Sequence, residues 1–120
     1  MTDAVSPPNY KALLLDNTIA LWYYLDVIES FASEETEKIF RGEISKKLPT
    51  EIQRTARRKL LYMDEAETLQ DIQAIPGNRL EKLKGNRAGQ YSIRINDQWR
   101  ICFEWIVNKA RNVEIVDYHS

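Results

Sequence analysis

The sequence predicts an α+β fold in which N-terminal helices pack on one face of a small, twisted, mainly antiparallel sheet. Apart from a short strand pattern at residues 27–31, helical patterns predominate up to about residue 75, and strand patterns joined by short connections fill the remainder. Short connections require antiparallel neighbours, so the second part is expected to be a meander. A length of 120 residues is that of one ordinary domain.

Caps and apolar spacing predict the helices. Ser33, with acidic residues behind it, begins a helix that Gly42 ends. Thr50-Glu51-Ile52-Gln53 fits a capping box after Pro49. From there to about residue 66, four apolar residues recur at helical spacing: Ile52, Ala56, Leu60 and Met63. Residues 68–75 are expected to form a further short turn of helix.

The same long helix carries a dense group of basic residues outside its apolar stripe, namely Arg54, Arg57, Arg58 and Lys59. A basic helix face of this kind is expected to be solvated, and beside a basic sheet it could extend a contact with a polyanion.

Alternating apolar and polar residues predict the strands, which are Val27–Phe31, Arg79–Leu83, Gln90–Asn96, Trp99–Val107 and Val113–Tyr118. In the two central strands the apolar set, which includes Trp99, Phe103 and Trp105, is expected to face the core. The alternation then brings Arg94 and Arg100 out on one open face.

Basic residues are concentrated between Arg79 and Phe103. This segment holds six basic and two acidic residues, whereas the whole chain has a net charge of -1. The basic residues are Arg79, Lys82, Lys84, Arg87, Arg94 and Arg100. A polyanion is the partner that such a segment predicts, although the near-zero net charge of the whole chain argues against a general nucleic-acid coat protein.

The first 26 residues contain an apolar run that is broken at Asp16, Asn17 and Asp26. The run is too short for a membrane span, and a positively charged start with a small-residue cleavage site is missing, so a cytoplasmic location is expected. We expect an added helix here, packing on the body or on a partner. The domain interpretation is therefore a main domain, 27–120, preceded by residues 1–26, which are either a genuine N-terminal extension or sequence upstream of the natural start.

Metal and disulfide chemistry have few candidate residues in this sequence. Cys102 is the only cysteine and His119 is the only histidine. We therefore expect no disulfide, no metal site and no cofactor.

Near the end of the chain lie Asp117-Tyr118-His119, a carboxylate, a phenol and an imidazole side by side. RNA can be cut without a metal when its 2'-hydroxyl attacks the adjacent phosphate. That reaction needs a base, an acid and fixed positive charge near the phosphate oxygens. The closing residues and the basic segment contain all three.

Two stretches carry a resemblance to a known family, PGNRLEKLKGNRAGQYSIRINDQWRICFEW and, near the end of the chain, VEIVDYH. Together they resemble the HigB group of the RelE/ParE toxin superfamily, over Val27 to His119. The resemblance implies a RelE-like fold and a ribosome-dependent mRNA endoribonuclease. It also implies a HigA-type antitoxin that holds the toxin inactive and represses the operon, so operator DNA would be contacted only through the antitoxin complex. No membrane partner is implied.

The resemblance also implies roles for individual residues. Lys84 and Arg87 would meet phosphate, and Arg100 would stabilise the transition state. Asp117, Tyr118 and His119 would form the catalytic end, with His119 as the leading acid or base. Lys84 is counted with the catalytic group, and the expected RNA-binding residues are Arg79, Lys82, Arg87 and Arg94.

One departure from the family concerns the general base. Some relatives have a second histidine on the strand before LKG, where this chain has Glu81 or Lys82. Both Glu81 and the C-terminal group remain candidates for the base. Two other functions are also open, a ParE-like inhibitor of gyrase and a non-catalytic RNA-binding module.

Overall fold

The computed structural model describes residues 26–118, so the helix expected within residues 1–26 lies outside the described part. Three helices precede a four-stranded sheet in residues 26–118, and the sheet has the order β1-β2-β3-β4 with every neighbouring pair antiparallel. This confirms the predicted α+β meander. The elements are α1 (Glu34–Phe40), α2 (Thr50–Glu65), α3 (Leu69–Ala74), β1 (Glu81–Lys82), β2 (Gln90–Arg94), β3 (Trp99–Ile106) and β4 (Lys109–Asp117).

Residues 27–31 were expected to form a strand, but they make only two isolated parallel bridges to β4, Ile28 to Ala110 and Phe31 to Val113. The prediction of a regular strand is therefore wrong. The two bridges are three residues apart in both segments of the chain, which does not match the two-residue repeat of a regular strand pair. The backbone N–H groups of Val27 and Ile28 instead donate to the Asp64 carboxylate of α2, at 3.1 and 2.9 Å.

The helix starts agree with the sequence except for one cap. Ser33 caps α1, since its hydroxyl accepts from the Thr36 N–H at 3.1 Å. The capping box expected at Thr50 is wrong: the N-cap of α2 is Pro49, and no side chain caps it. Gln53 donates instead to the Ser45 and Leu48 carbonyls at 2.8 and 2.9 Å, which fastens the loop before the helix.

The apolar stripe of α2 is confirmed, because Ile52, Ala56, Leu60 and Met63 are all buried against the sheet. The prediction that the basic residues of α2 are solvated is wrong for Lys59, because this side chain is buried as well. Its ammonium group donates to the Arg94 carbonyl at 2.5 Å and to the Gly77 carbonyl at 3.4 Å. Burial, reinforced by the charges of Arg58 and Arg94, lowers the pKa of Lys59.

The strand bounds differ from the prediction mainly at the two edges of the sheet. β1 contains only Glu81 and Lys82 and begins after Arg79, whose φ is +48°. β4 begins at Lys109 instead of Val113, because a two-residue turn with positive φ at Val107 and Asn108 joins it directly to β3. The sequence has no Asn-Gly or Asp-Gly there to mark such a hairpin.

The core lies between the helices and one face of β2, β3 and β4. Ile93, Ile101 and Phe103 are fully buried in it. Trp99 and Trp105 are only half-buried and pack at its margin, so the expected core position holds fully for Phe103 and in part for the two tryptophans.

Two adjacent leucines on α2 allow a test of how much the buried apolar stripe contributes to the stability of the fold. Leu60 is 0% exposed and Leu61 is 37% exposed. We expect Leu60→Ala to lower the free energy of unfolding by about 2–5 kcal/mol through lost burial and a cavity. Leu61→Ala removes the same atoms from the surface and should cost less than about 1 kcal/mol. Urea unfolding of both variants measures the difference, and equal losses would contradict the assigned packing.

Candidate active site

The sheet face turned away from the helices carries a polar row that crosses all four strands. The strand register places Glu81 beside Ser92, Ser92 beside Cys102, and Cys102 beside Glu114. Cys102 is buried, and burial is the main cause that raises the pKa of its thiol. This face, called the open face below, lies opposite the core residues Ile93 and Ile101.

Arg94 and Arg100 are register partners on β2 and β3 and share the open face, as predicted. Like charges directly opposite each other repel. In this structure each of the two arginines is paired with a carboxylate of its own, which offsets the repulsion. Arg94 Nη2 lies 2.5 Å from Asp97 Oδ1, and Arg100 Nη1 lies 3.4 Å from Glu81 Oε1.

The alternation predicted that Arg100 would point outward from the open face. Its side chain is nevertheless largely covered, and only 12% of it is exposed. Its guanidinium carbon lies 4.6 Å from the centre of the Tyr118 ring, a cation–π contact. A carboxylate on one side and an aromatic ring on another therefore fix the orientation of the guanidinium. Its Nε atom is buried without a hydrogen-bond partner among the described residues.

A cleft of about 560 Å³ opens between β1, the turn after it and the end of β4. Its lining contains three basic side chains, one acidic side chain and the Tyr118 phenol. The lining residues are Glu81, Lys82, Leu83, Lys84, Asn86, Arg87 and Tyr118.

The turn that carries Lys84 and Arg87 is a short 3-10 segment, Gly85–Arg87. Gly85 has a φ of +64°, a backbone conformation that glycine adopts without strain. The Arg87 guanidinium is fixed from two sides, by a hydrogen bond to Gln90 Oε1 at 2.9 Å and by Glu114 Oε1 at 3.6 Å. The sequence motif thus folds into a turn that places two cations at the cleft.

Several predicted site residues lie apart from this cleft. Arg79 and Arg94 do not line it. Asp117 is the register partner of Trp99, so it lies on the core side of the sheet, and its carboxylate accepts from Gln98 Nε2 at 2.9 Å. His119 lies outside the described residues. Of the predicted group, the structure brings together Lys82, Lys84, Arg87 and Tyr118 at the cleft, with Arg100 against Tyr118.

Two residues at or beside the cleft were missed by sequence reasoning. Asn86 lines the cleft and lies inside the motif that supplies Lys84 and Arg87, so its position in the motif was an available signal. Glu114 pairs with Arg87 across 27 residues of chain. Only the strand register reveals that pairing.

Within residues 26–118, no three His, Cys, Asp or Glu side chains are grouped so that they could hold a metal ion. The same part of the chain contains no helix long and apolar enough to cross a membrane. The chemistry available in the cleft is binding of an anion by Lys and Arg, next to a carboxylate and a phenol that can exchange protons.

A solved structure supports the fold class. A chain from the YoeB-YefM complex of Staphylococcus aureus matches with a TM-score of 0.50 and 20% identity, over 78% of this chain and 98% of that chain. This likeness confirms a RelE-like α+β fold.

The family follows from sequence comparison. A family described as the RelE-like toxin of type II toxin-antitoxin system HigB matches residues 29–119, and the chain belongs to that family. Toxin HigB-1 of Vibrio cholerae is 42% identical over 65 residues, which span 54% of this chain and 68% of the relative. Endoribonuclease HigB of Proteus vulgaris is 27% identical over 93 residues, 78% of this chain and 100% of the relative. The predicted HigB resemblance is confirmed.

The cationic cleft should bind phosphate. We expect titration with inorganic phosphate to shift the NMR signals of the Arg100 guanidinium and the Tyr118 ring. Lys84→Gln should weaken this binding roughly fivefold, since one charge pair at 4 Å contributes about 1 kcal/mol in water. Lys46→Gln removes an exposed charge that does not line the cleft and should leave the affinity unchanged. Equal affinities for all three proteins would rule out Lys84 as a phosphate ligand.

Proposed function

We propose that this protein is the toxin of a type II toxin-antitoxin pair and that it cleaves mRNA on the translating ribosome. The observation that carries the proposal is the grouping of Lys84, Arg87, Tyr118 and Glu81 at one cleft, with Arg100 beside them. Membership in the HigB-like family and the relative named Endoribonuclease HigB support it.

The proposed reaction is attack of an RNA 2'-hydroxyl on the adjacent phosphorus. A bond forms from the 2'-oxygen to phosphorus, and the bond from phosphorus to the 5'-oxygen breaks, which leaves a cyclic phosphate and a 5'-hydroxyl. A base removes the proton of the 2'-hydroxyl, and an acid protonates the departing 5'-oxygen. Negative charge builds up on the phosphate oxygens between these steps, where Lys84 and Arg100 would stabilise it.

We assign the role of base to Glu81. Its carboxylate lines the cleft and lies 3.4 Å from Arg100 Nη1, so the base and the stabilising charge are adjacent. Half of its side chain is exposed, which leaves it accessible to an RNA strand. Tyr118 and the residue that follows it in the chain, His119, are then proposed to supply the acid, since imidazole titrates near neutral pH.

The remaining predicted residues are proposed to act around this centre. Lys82 and Arg87 line the cleft and would hold phosphates next to the reacting one. Arg94 and Arg79 lie outside it and would extend the positive field along the RNA. Asp117, through its hydrogen bond to Gln98, would position the chain that leads to Tyr118 and His119.

An antitoxin is the proposed protein partner. The family description names a toxin-antitoxin system, and the matched Staphylococcus structure is a complex of YoeB with YefM. We propose a HigA-type antitoxin, with operator DNA reached only through the complex.

Two carboxylates of the open face, each paired with an arginine, give a matched test of the base. Glu81 pairs with Arg100 and Glu114 with Arg87. Glu81→Gln and Glu114→Gln both remove one negative charge, so both should tighten binding of a 2'-deoxy RNA analogue by a few fold. Only Glu81→Gln should slow mRNA cleavage, by about 10²–10⁴-fold, because only Glu81 is proposed to accept the proton. Cleavage rates on programmed ribosomes measure this, and undiminished cleavage by Glu81→Gln would assign the base to the C-terminal group.

A variant of His119 tests the enzymatic proposal as a whole. Expression of the protein alone should arrest growth and produce new 5' ends in a reporter mRNA, which primer extension detects. His119→Ala should abolish both effects while still binding the antitoxin. Growth arrest without cleavage ends would indicate a non-catalytic RNA-binding module, and arrest accompanied by a DNA-damage response would indicate a gyrase inhibitor.

A further inference from the structure

Residues 26–118 contain nine arginines, and one of them, Arg79, lies by itself before β1 without an ion pair to any described residue. Most of them are paired with a carboxylate: Arg41 with Glu37, Arg87 with Glu114, Arg94 with Asp97, Arg100 with Glu81 and Arg111 with Glu29. Arg54, Arg57 and Arg58 of α2 form no ion pair with any described residue, and even Glu51, three residues before Arg54, does not pair with it. Three charges that no described residue neutralises therefore lie together on the exposed side of α2.

The spacing of these residues places them on one face of α2, called the arginine face below. Positions three and four apart are neighbours on a helix surface, and Arg54 and Arg58 are separated by about 6 Å along the axis. A groove of about 470 Å³ runs along this face, lined by Arg54, Thr55, Arg57, Arg58 and Leu61.

The arginine face is remote from the cleft in the layered fold. The opposite side of α2 buries Ile52, Ala56 and Leu60 against the sheet, so the arginine face points outward from the helix layer. The cleft adjoins the open face, on the other side of the sheet. One RNA strand in the cleft therefore does not reach both surfaces without passing around the domain.

The lining favours a phosphate backbone over a protein as the occupant. Three guanidinium groups and one threonine surround a single large apolar side chain, Leu61. A protein interface needs a buried apolar or aromatic centre, which this groove lacks. Guanidinium groups pair with phosphate oxygens through two parallel hydrogen bonds, and α2 holds them on a rigid element.

We infer that Arg54, Arg57 and Arg58 form a second RNA-docking surface, which binds the sugar-phosphate backbone of a base-paired RNA. The choice of RNA as the polyanion rests on the proposed function. A folded RNA held on the arginine face leaves the cleft free to receive a single strand from the other side. The proposed dependence of mRNA cleavage on the ribosome then has a physical basis. Docking on folded RNA of the ribosome raises the local concentration of the cleft near its substrate.

The test compares two variants with the same loss of charge. The triple substitution Arg54→Gln, Arg57→Gln and Arg58→Gln removes the arginine face and keeps good helix formers on α2. The control Arg41→Gln, Lys46→Gln and Arg111→Gln removes three exposed charges that lie elsewhere. Circular dichroism and urea unfolding confirm that both variants are folded.

The readout is binding of an RNA duplex of about 20 base pairs, by fluorescence anisotropy between about 50 and 300 mM KCl. We expect the arginine-face variant to bind about tenfold or more weakly and the slope of log K against log salt to shrink by roughly two to three, since each phosphate contact contributes slightly less than one. The control should keep most of the wild-type slope. The arginine-face variant should also cut mRNA less in cells, while its cleft binds inorganic phosphate as tightly as the wild type.

Two results would overturn this inference. Equal losses in both variants would show a general charge effect, and wild-type duplex binding by the arginine-face variant would remove the surface from RNA binding. If that variant instead lost only its affinity for a polyglutamate peptide, the face would belong to an acidic protein. Failure of the proposed function is separate, because a wild-type protein that leaves no cleavage ends would refute the nuclease without changing the duplex-binding comparison.

Discussion

The contact of Arg100 with Glu81 and Tyr118 is the interaction on which the candidate site depends. It joins β1, the middle strand β3 and the end of β4, three parts of the chain that are far apart in sequence. Arg100 belongs to a strand whose other face is buried in the core through Ile101 and Phe103. The packed core therefore holds the Arg100 side chain in place. Because only 12% of this side chain is exposed, its charge interacts more strongly with neighbouring charges than it would in water.

The two arginines at and beside the cleft are each held next to a carboxylate. Glu81 lies against Arg100, and Glu114 lies against Arg87. A phosphate that enters the cleft must compete with these carboxylates for the two arginines, so binding of the proposed RNA strand in the cleft is expected to be modest. In the proposed reaction, the Glu81 carboxylate would accept the proton once it is displaced from Arg100. The ion pairs thus fix the two guanidinium groups in the free protein, and the proposal has them exchanged for phosphate when substrate binds.

The sheet separates two positively charged surfaces of different character. On the open face, the arginines are paired with carboxylates and partly covered; on α2, they are exposed and form no ion pair within residues 26–118. Lys59 connects the two layers, since it starts on α2 and its ammonium group reaches the Arg94 and Gly77 carbonyls. The four neighbouring basic residues of α2 therefore differ in role. Lys59 supports the loop and the strand beneath the helix, whereas the three arginines are available to solvent or to a partner.

The sequence by itself determined the fold class, the apolar stripe of α2 and the meander, because hydrophobic periodicity and short connections are local properties. Through the family motif it also predicted site roles for Lys84, Arg87, Arg100 and Tyr118, which the structure brings together at and beside the cleft. Only the tertiary structure decided that Asp117 faces the core side, that Glu114 pairs with Arg87 and that Lys59 is buried. These outcomes depend on strand register and on contacts between residues distant in sequence. A shift of one residue in a strand would reverse which side each residue faces, and no local pattern specifies a partner so far along the chain.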